Sequence, residues 1–298
     1  VNIYRHIVDT ATLEREYSPS SYVSDLPAIL RDYDQRSLAA RRHLPPRTYR
    51  YGHTDAETLD FFTPAGDRRQ IAPRSVAIYI HGGYWQELSK DQHSFPASGF
   101  VDQGMAYIAV NYGLAPDASL AEMIDRCRRA LLWVVSHSEE LAIDPRGIHL
   151  LGCSAGGHLA AMCALTDWTT LGLAQKPIRS VTLLSGVFDL RPLSLTYVND
   201  AIGMTTADTL LHSPLLLVDT ASAPLPPMLL VVGENETSEF KRQSQDFTAA
   251  LHRRGAKAHL TQISLRNHFD LLFDLNDRQS ELASMVFNHI ASSYIYGA

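Results

Sequence analysis

Short apolar runs alternate with amphipathic stretches along most of the chain. Residues 76–80, 106–110, 148–151, 180–184, 228–232 and 258–263 are brief, strongly apolar runs of the length of buried strands. Between them, residues 94–103, 120–140, 155–165 and 238–254 read as helices, and residues 277–292 as a last helix. In 120–140, Met123, Cys127, Ala130, Leu131, Val134 and Val135 fall on one helical face. Strands alternating with helices at this spacing imply right-handed crossovers and a mainly parallel sheet covered on both faces. Two further runs, 48–51 and 58–62, joined through 52–57, predict an antiparallel start to that sheet.

Two segments depart from the rhythm. Residues 1–47, with a helical pattern at 26–42 that stops at Pro45–Pro46, read as an N-terminal helical extension packed on the core or covering one end of it. Residues 191–227, with Pro214, Pro224, Pro226 and Pro227, read as a small lid-like insertion between two core strands. No repeat or flexible linker divides the chain, so the expectation is one α/β domain over 48–298 with these additions.

Composition narrows the partners. Hydrophobic residues are 45% of the 298 and charged residues 19%, as in folded globular chains. The formal net charge of −6, without a dense Lys/Arg block, gives no footprint for nucleic acid or an anionic membrane. No apolar run reaches the roughly 18 residues of a membrane span, and the first fifteen residues lack a signal-peptide core. A cytoplasmic protein acting on a small molecule is expected, with a homodimer as the assembly to consider. Cys127, Cys153 and Cys163 are too few and too scattered for a disulfide framework and read as reduced packing residues.

Chemistry concentrates at GIHLLGCSAGGHLAAMCAL, residues 147–165. An apolar strand runs into Gly152-Cys153-Ser154-Ala155-Gly156, and a helix of small residues follows. This is the strand-turn-helix context of a GxSxG nucleophile elbow, with Ser154 at the turn. A serine needs a base and an orienting carboxylate, and in open α/β sheets these sit in loops after the carboxyl ends of strands. His268 lies in the loop after 258–263 and is the expected base. Glu236, three residues past Gly233 in the loop after 228–232, is the expected acid, with Glu234 and Asp270 as alternatives. The chain order Ser, acid, His is that of α/β-hydrolases. Oxyanion donors are expected from the Ala155 N–H and from Gly82 and Gly83, where the strand 76–80 runs into His81-Gly82-Gly83-Tyr84-Trp85. His81 reads as a brace for that loop. Tyr84 and Trp85 are expected to line the substrate pocket, and Tyr112 is a weaker candidate. HExxH, CxxC and clustered metal-ligand patterns are absent from the sequence, so no metal or cofactor is expected.

HGGYW (81–85), GCSAGG (152–157), the 233–236 loop and His268 together resemble the α/β-hydrolase superfamily, near the hormone-sensitive-lipase-like esterases. YGHTDAETLDFF (51–62), SGVFDLRPL (185–193), TYVN (196–199), SPL (213–215) and VVGENETSEFKRQS (231–244) are more narrowly similar to the kynurenine formamidase, or arylformamidase, group. The likeness implies a mainly parallel twisted sheet and a cofactor-free serine hydrolase cleaving a formyl or small acyl group through an acyl-enzyme. Characterised animal and fungal members usually carry Asp at the acid position, where this chain has Glu236. The alternatives are a carboxylesterase, thioesterase or amidase without formamidase activity, an acyltransferase, or a non-catalytic binding protein of the same fold.

Overall fold

The computed structural model describes residues 2–64, 73–222 and 224–296; most of the polar loop expected between 63 and 75 lies outside them. Eight strands, β1 (Arg47–Arg50), β2 (Thr58–Phe62), β3 (Arg74–Ile80), β4 (Ala106–Val110), β5 (Ile143–Cys153), β6 (Ile178–Leu184), β7 (Met228–Asn235) and β8 (Ala258–Asn267), form one sheet. Their spatial order is β1-β2-β4-β3-β5-β6-β7-β8. β1 and β2 pair antiparallel, as does β2 with β4, and every other pairing is parallel.

Alternation along the strands builds two cores. Val76, Ile78 and Ile80 of β3, with Ala106, Ile108 and Val110 of β4, face one layer. Ala77 and Tyr79, with Tyr107 and Ala109, face the other. Such period-two burial on both faces leaves no solvated side, which is why these strands read as continuous apolar runs.

Among the described residues, ten α-helices surround the sheet: α1 (Thr10–Glu16), α2 (Leu26–His43), α3 (Ala97–Val101), α4 (Leu120–Ser136), α5 (Ala155–Ala164), α6 (Asn199–Ile202), α7 (Thr206–Leu211), α8 (Pro214–Leu217), α9 (Ser238–Arg253) and α10 (Glu281–Tyr296). α4, α5 and α9 cover the first layer through Met123, Leu159 and Phe247. Tyr33 of α2, Phe100 of α3 and Ile290 of α10 belong to the second.

Local chemistry explains where elements differ from expectation. α1, which the pattern did not suggest, starts where Asp9 accepts from Thr12 N at 2.7 Å. α3 begins only after Pro96 and gives way to Gly104, whose φ is +78°, so it spans five residues. α4 starts in a Ser119/Glu122 capping box and ends at Ser136, before the expected 140. α10 begins late, because Asp277 turns the chain by accepting from Gln279 N at 2.9 Å and Ser280 Oγ accepts from Ala283 N at 3.0 Å. The 191–222 segment packs onto the core through Leu193, Val198, Met204 and Val218. No helix of the described residues is long and apolar enough to cross a membrane.

Candidate active site

β5 and α5 meet at Ser154, whose φ is 55° and ψ is −120°. A non-glycine residue held there is strained, and such strain concentrates at functional positions. Two glycines permit the turn. A Cβ on Gly152 would stand 2.1 Å from the Gly156 carbonyl oxygen, and one on Gly156 would stand 2.0 Å from the Ile80 carbonyl oxygen. α5 therefore packs against β3 and β5 at backbone contact, with its N-terminus behind Ser154.

The expected acid and base follow β7 and β8, which are neighbours in the sheet. β7 runs through a register shift between Gly233 and Asn235, and Glu236 turns inward directly after it. Its Oε2 lies 2.9 Å from His268 Nδ1. Its Oε1 accepts from Ser185 Oγ at 2.5 Å and from Gly233 N at 2.6 Å. Both oxygens of this buried carboxylate are thus held, and Nδ1 of the imidazole carries the proton, leaving Nε2 a lone pair. Phe240 and Phe269 stand edge-on to the His268 ring at 4.6 and 5.1 Å. Ser185, itself at φ 48°, opens the SGVFDLRPL segment, and nothing in its local sequence marks it as a partner of Glu236. Glu234 instead accepts from Leu265 N at 2.8 Å, and Asp270 from Asn267 N at 2.7 Å, so both alternative acids brace loops.

The loop after β3 brings Gly82 beside Ser154. A Cβ on Gly82 would be 3.2 Å from Ser154 Cβ. Gly83, Tyr84 and Trp85 all have positive φ, of 100°, 46° and 58°. His81 and Tyr112 orient its peptides. His81 Nδ1 lies 2.8 Å from the Gly82 carbonyl oxygen, and the Tyr112 hydroxyl donates to the His81 carbonyl at 3.0 Å. A planar trans peptide points its carbonyl and N–H in opposite directions. Holding the two carbonyls therefore sets the Gly82 and Gly83 N–H vectors. Neither N–H, nor that of Ala155, has a hydrogen-bond partner among the described residues. Burial and the neighbouring His93 push the His81 imidazole down to about 3, so it remains neutral.

Ser154 and His268 line one cavity of about 250 Å³, together with Gly82, Gly83 and Tyr84. Trp85 and Tyr112 do not belong to its wall. The run of positive φ turns Trp85 beneath the loop, fully buried and edge-on to His158 at 5.1 Å, and Tyr112 is stacked on His81 at 4.4 Å behind the glycines. Both are second-layer supports rather than the pocket residues expected. Of the described residues in 191–227, Tyr197 and Val198 line it; much of the remaining wall is Leu26, Leu30 and Tyr33 of α2, with Pro19 and Ser20 before it. Cys153 borders the cavity, but burial pushes its thiol well above the usual range, so it is no thiolate nucleophile. A larger cavity of about 580 Å³, rimmed by Arg146, Lys176, Arg179 and Arg254, lies at the amino ends of the strands, the end opposite to Ser154.

Comparison with known proteins agrees with this fold. Residues 59–251 match the family model described as BD-FAE. The kynurenine formamidase of Danio rerio is 32% identical, covering 94% of this chain and 96% of that one. That of Salmo salar is 31% identical with the same coverage of 94% and 96%. A solved structure from Silicibacter sp. TM1040, provisionally described as a thioesterase, superposes with a TM-score of 0.77 at 25% identity over 92% of this chain and 98% of that one. Esterase B from Lactobacillus rhamnosis shares the fold, with a TM-score of 0.71 at 20% identity over 94% and 98%. The chain belongs to the BD-FAE family, in the kynurenine formamidase-like group of the α/β-hydrolases, and is a hydrolase of the serine formamidase and esterase type.

Proposed function

We propose that this hydrolase removes a formyl or small acyl group from an aryl amide, an N-formylkynurenine-like substrate, through an acyl-enzyme at Ser154. The observation that carries the reading is the His268 imidazole, held at 2.9 Å by the buried Glu236 carboxylate and opening on the same cavity as Ser154. Its Nε2 takes the Ser154 proton as Oγ forms a bond to the substrate carbonyl carbon, and the carbonyl electrons move onto oxygen. The Gly82, Gly83 and Ala155 N–H groups receive that oxyanion, each donor contributing about 2.7 to 4 kcal/mol in comparable sites. Collapse breaks the C–N bond while imidazolium returns the proton to the departing nitrogen. Water, deprotonated by the same imidazole, then releases the acid and restores Ser154. Glu236 holds the tautomer and stabilises the imidazolium, its two oxygens bonded to His268 Nδ1 and to Ser185 Oγ and Gly233 N.

Ser154→Ala is expected to abolish turnover of N-formylkynurenine and of short aryl esters while leaving the circular dichroism spectrum unchanged. Undiminished turnover of both would overturn the assignment. A second reading, an esterase without formamidase activity, is favoured by a relative named esterase LipC, 29% identical over 60% of this chain and 45% of that protein. The ratio of kcat/KM for N-formylkynurenine and p-nitrophenyl acetate separates the two. A reducing, cytoplasmic setting is supported by the three free, buried cysteines.

A further inference from the structure

His93 takes no part in the chemistry above, yet it lines the Ser154 cavity while being only 1% exposed. Its ring is fixed in a column of aromatic groups. It stacks on His81 at 5.7 Å and on Tyr79 at 5.6 Å, with Tyr33 edge-on at 5.4 Å. His81 carries the glycine loop and Tyr33 donates to the Phe269 carbonyl at 2.6 Å, so His93 stands between the oxyanion side and the base side of the cavity.

The tautomer follows from its neighbours. Nδ1 lies 3.1 Å from the Ser89 carbonyl oxygen, which can only accept, so Nδ1 bears the proton. Burial pushes the imidazole down to about 4, outweighing the Ser89 bond, and the ring is neutral at physiological pH. Nε2 is therefore an acceptor. No donor among the described residues bonds it, and His93 lines the cavity. The other buried polar groups of the wall outside Ser154 and His268 are the Tyr33 hydroxyl, already donating to Phe269, and the Cys153 thiol.

We propose that His93 Nε2 accepts the N–H of the scissile anilide, selecting aryl amides over the corresponding aryl esters. An amide presents a donor at the leaving atom, whereas an ester presents only lone pairs and would leave Nε2 unpaired in a closed site. Sites built to pair with a polar hydrogen discriminate strongly against analogues that lack it. The proposal rests on the reading that acyl transfer occurs at Ser154 in this cavity.

The test compares formanilide with phenyl formate, which differ at the leaving atom. His93→Phe keeps an aromatic ring in the column and removes the acceptor. It is expected to lower the amide-to-ester ratio of kcat/KM about tenfold, the size of one neutral hydrogen bond, with His93→Gln recovering part of the ratio. A ratio that stays within about twofold in His93→Phe overturns the proposal. A binding arm leaves His93 in place. In Ser154→Ala, acetanilide is expected to bind about tenfold more tightly than phenyl acetate and to shift the ¹⁵N resonance of His93 Nε2. Equal affinities and an unmoved resonance overturn it. A wild-type enzyme that cleaves phenyl formate but not formanilide would defeat the formamidase reading alone, and the binding arm would still decide the role of His93.

Discussion

The Tyr84 hydroxyl donates to the Tyr17 carbonyl oxygen at 2.5 Å, so the loop carrying Gly82 and Gly83 is tied to the segment that leads into Pro19 and Ser20 of the cavity wall. The same strap is held elsewhere, by Tyr17 Oη donating to Glu239 at 2.7 Å and Thr237 Oγ1 donating to the Glu16 carbonyl at 2.6 Å. Tyr84→Phe removes one of these ties without emptying space. We expect a loss of about 1 kcal/mol in strap stability, read as faster proteolytic cleavage between residues 17 and 30 with a lower kcat/KM for aromatic substrates. Unchanged cleavage would show that the tie carries no load.

Glu236→Gln preserves size but replaces the carboxylate that orients His268. By analogy with other serine triads, kcat is expected to fall by about 10³ to 10⁴, with KM little altered. Glu236→Asp shortens the reach and cannot hold His268 Nδ1 together with Ser185 and Gly233, so an intermediate loss is expected. Stopped-flow measurement of acylation and deacylation checks both variants.

Tyr112→Phe tests a support behind the glycines. Without the hydroxyl the His81 carbonyl is free, and the Gly82 N–H loses its fixed direction. A fall in kcat of about tenfold with unchanged KM is expected, because a misaimed oxyanion donor affects the transition state more than substrate binding. A change confined to KM would assign Tyr112 to the pocket wall instead.

Four histidines make stability sensitive to acid. Burial pushes His81 and His149 down to about 3 and His93 and His158 down to about 4. An unfolded histidine binds its proton near pH 6.5, while these folded ones do not, so their contribution is intact above pH 6.5 and falls as pH drops toward 4. Each can add up to about 1.4 kcal/mol per pH unit in that window. Urea unfolding at pH 7.5, 6 and 5 should show a declining midpoint, with a shallower decline in His93→Phe.

Much of the frame was legible in the chain because each core strand is apolar on both faces and each functional loop follows one. Ser154, Glu236 and His268 lie where the pattern places them, just after the ends of the strands that contain 148–151, 228–232 and 258–263. What was not legible depends on backbone turns and distant packing. Trp85 was expected in the pocket, but the run of positive φ from Gly83 to Trp85 reverses the direction a strand end would give it. The hold of Ser185 on Glu236 joins positions 51 residues apart through two strand ends, and no local pattern announces it. The pocket role of α2 was hidden because Leu30 and Tyr33 look like ordinary helix-face residues until the helix is docked.

Leu26, Leu30 and Tyr33 of α2 supply part of the wall, while Ser154, Glu236 and His268 follow the ends of β5, β7 and β8, so this wall and those three side chains stand more than a hundred residues apart in sequence. Exchanging residues 17–33 between relatives should therefore reshape one wall of the cavity, and with it the fit of a substrate's bulk, while leaving Ser154, Glu236 and His268 in place.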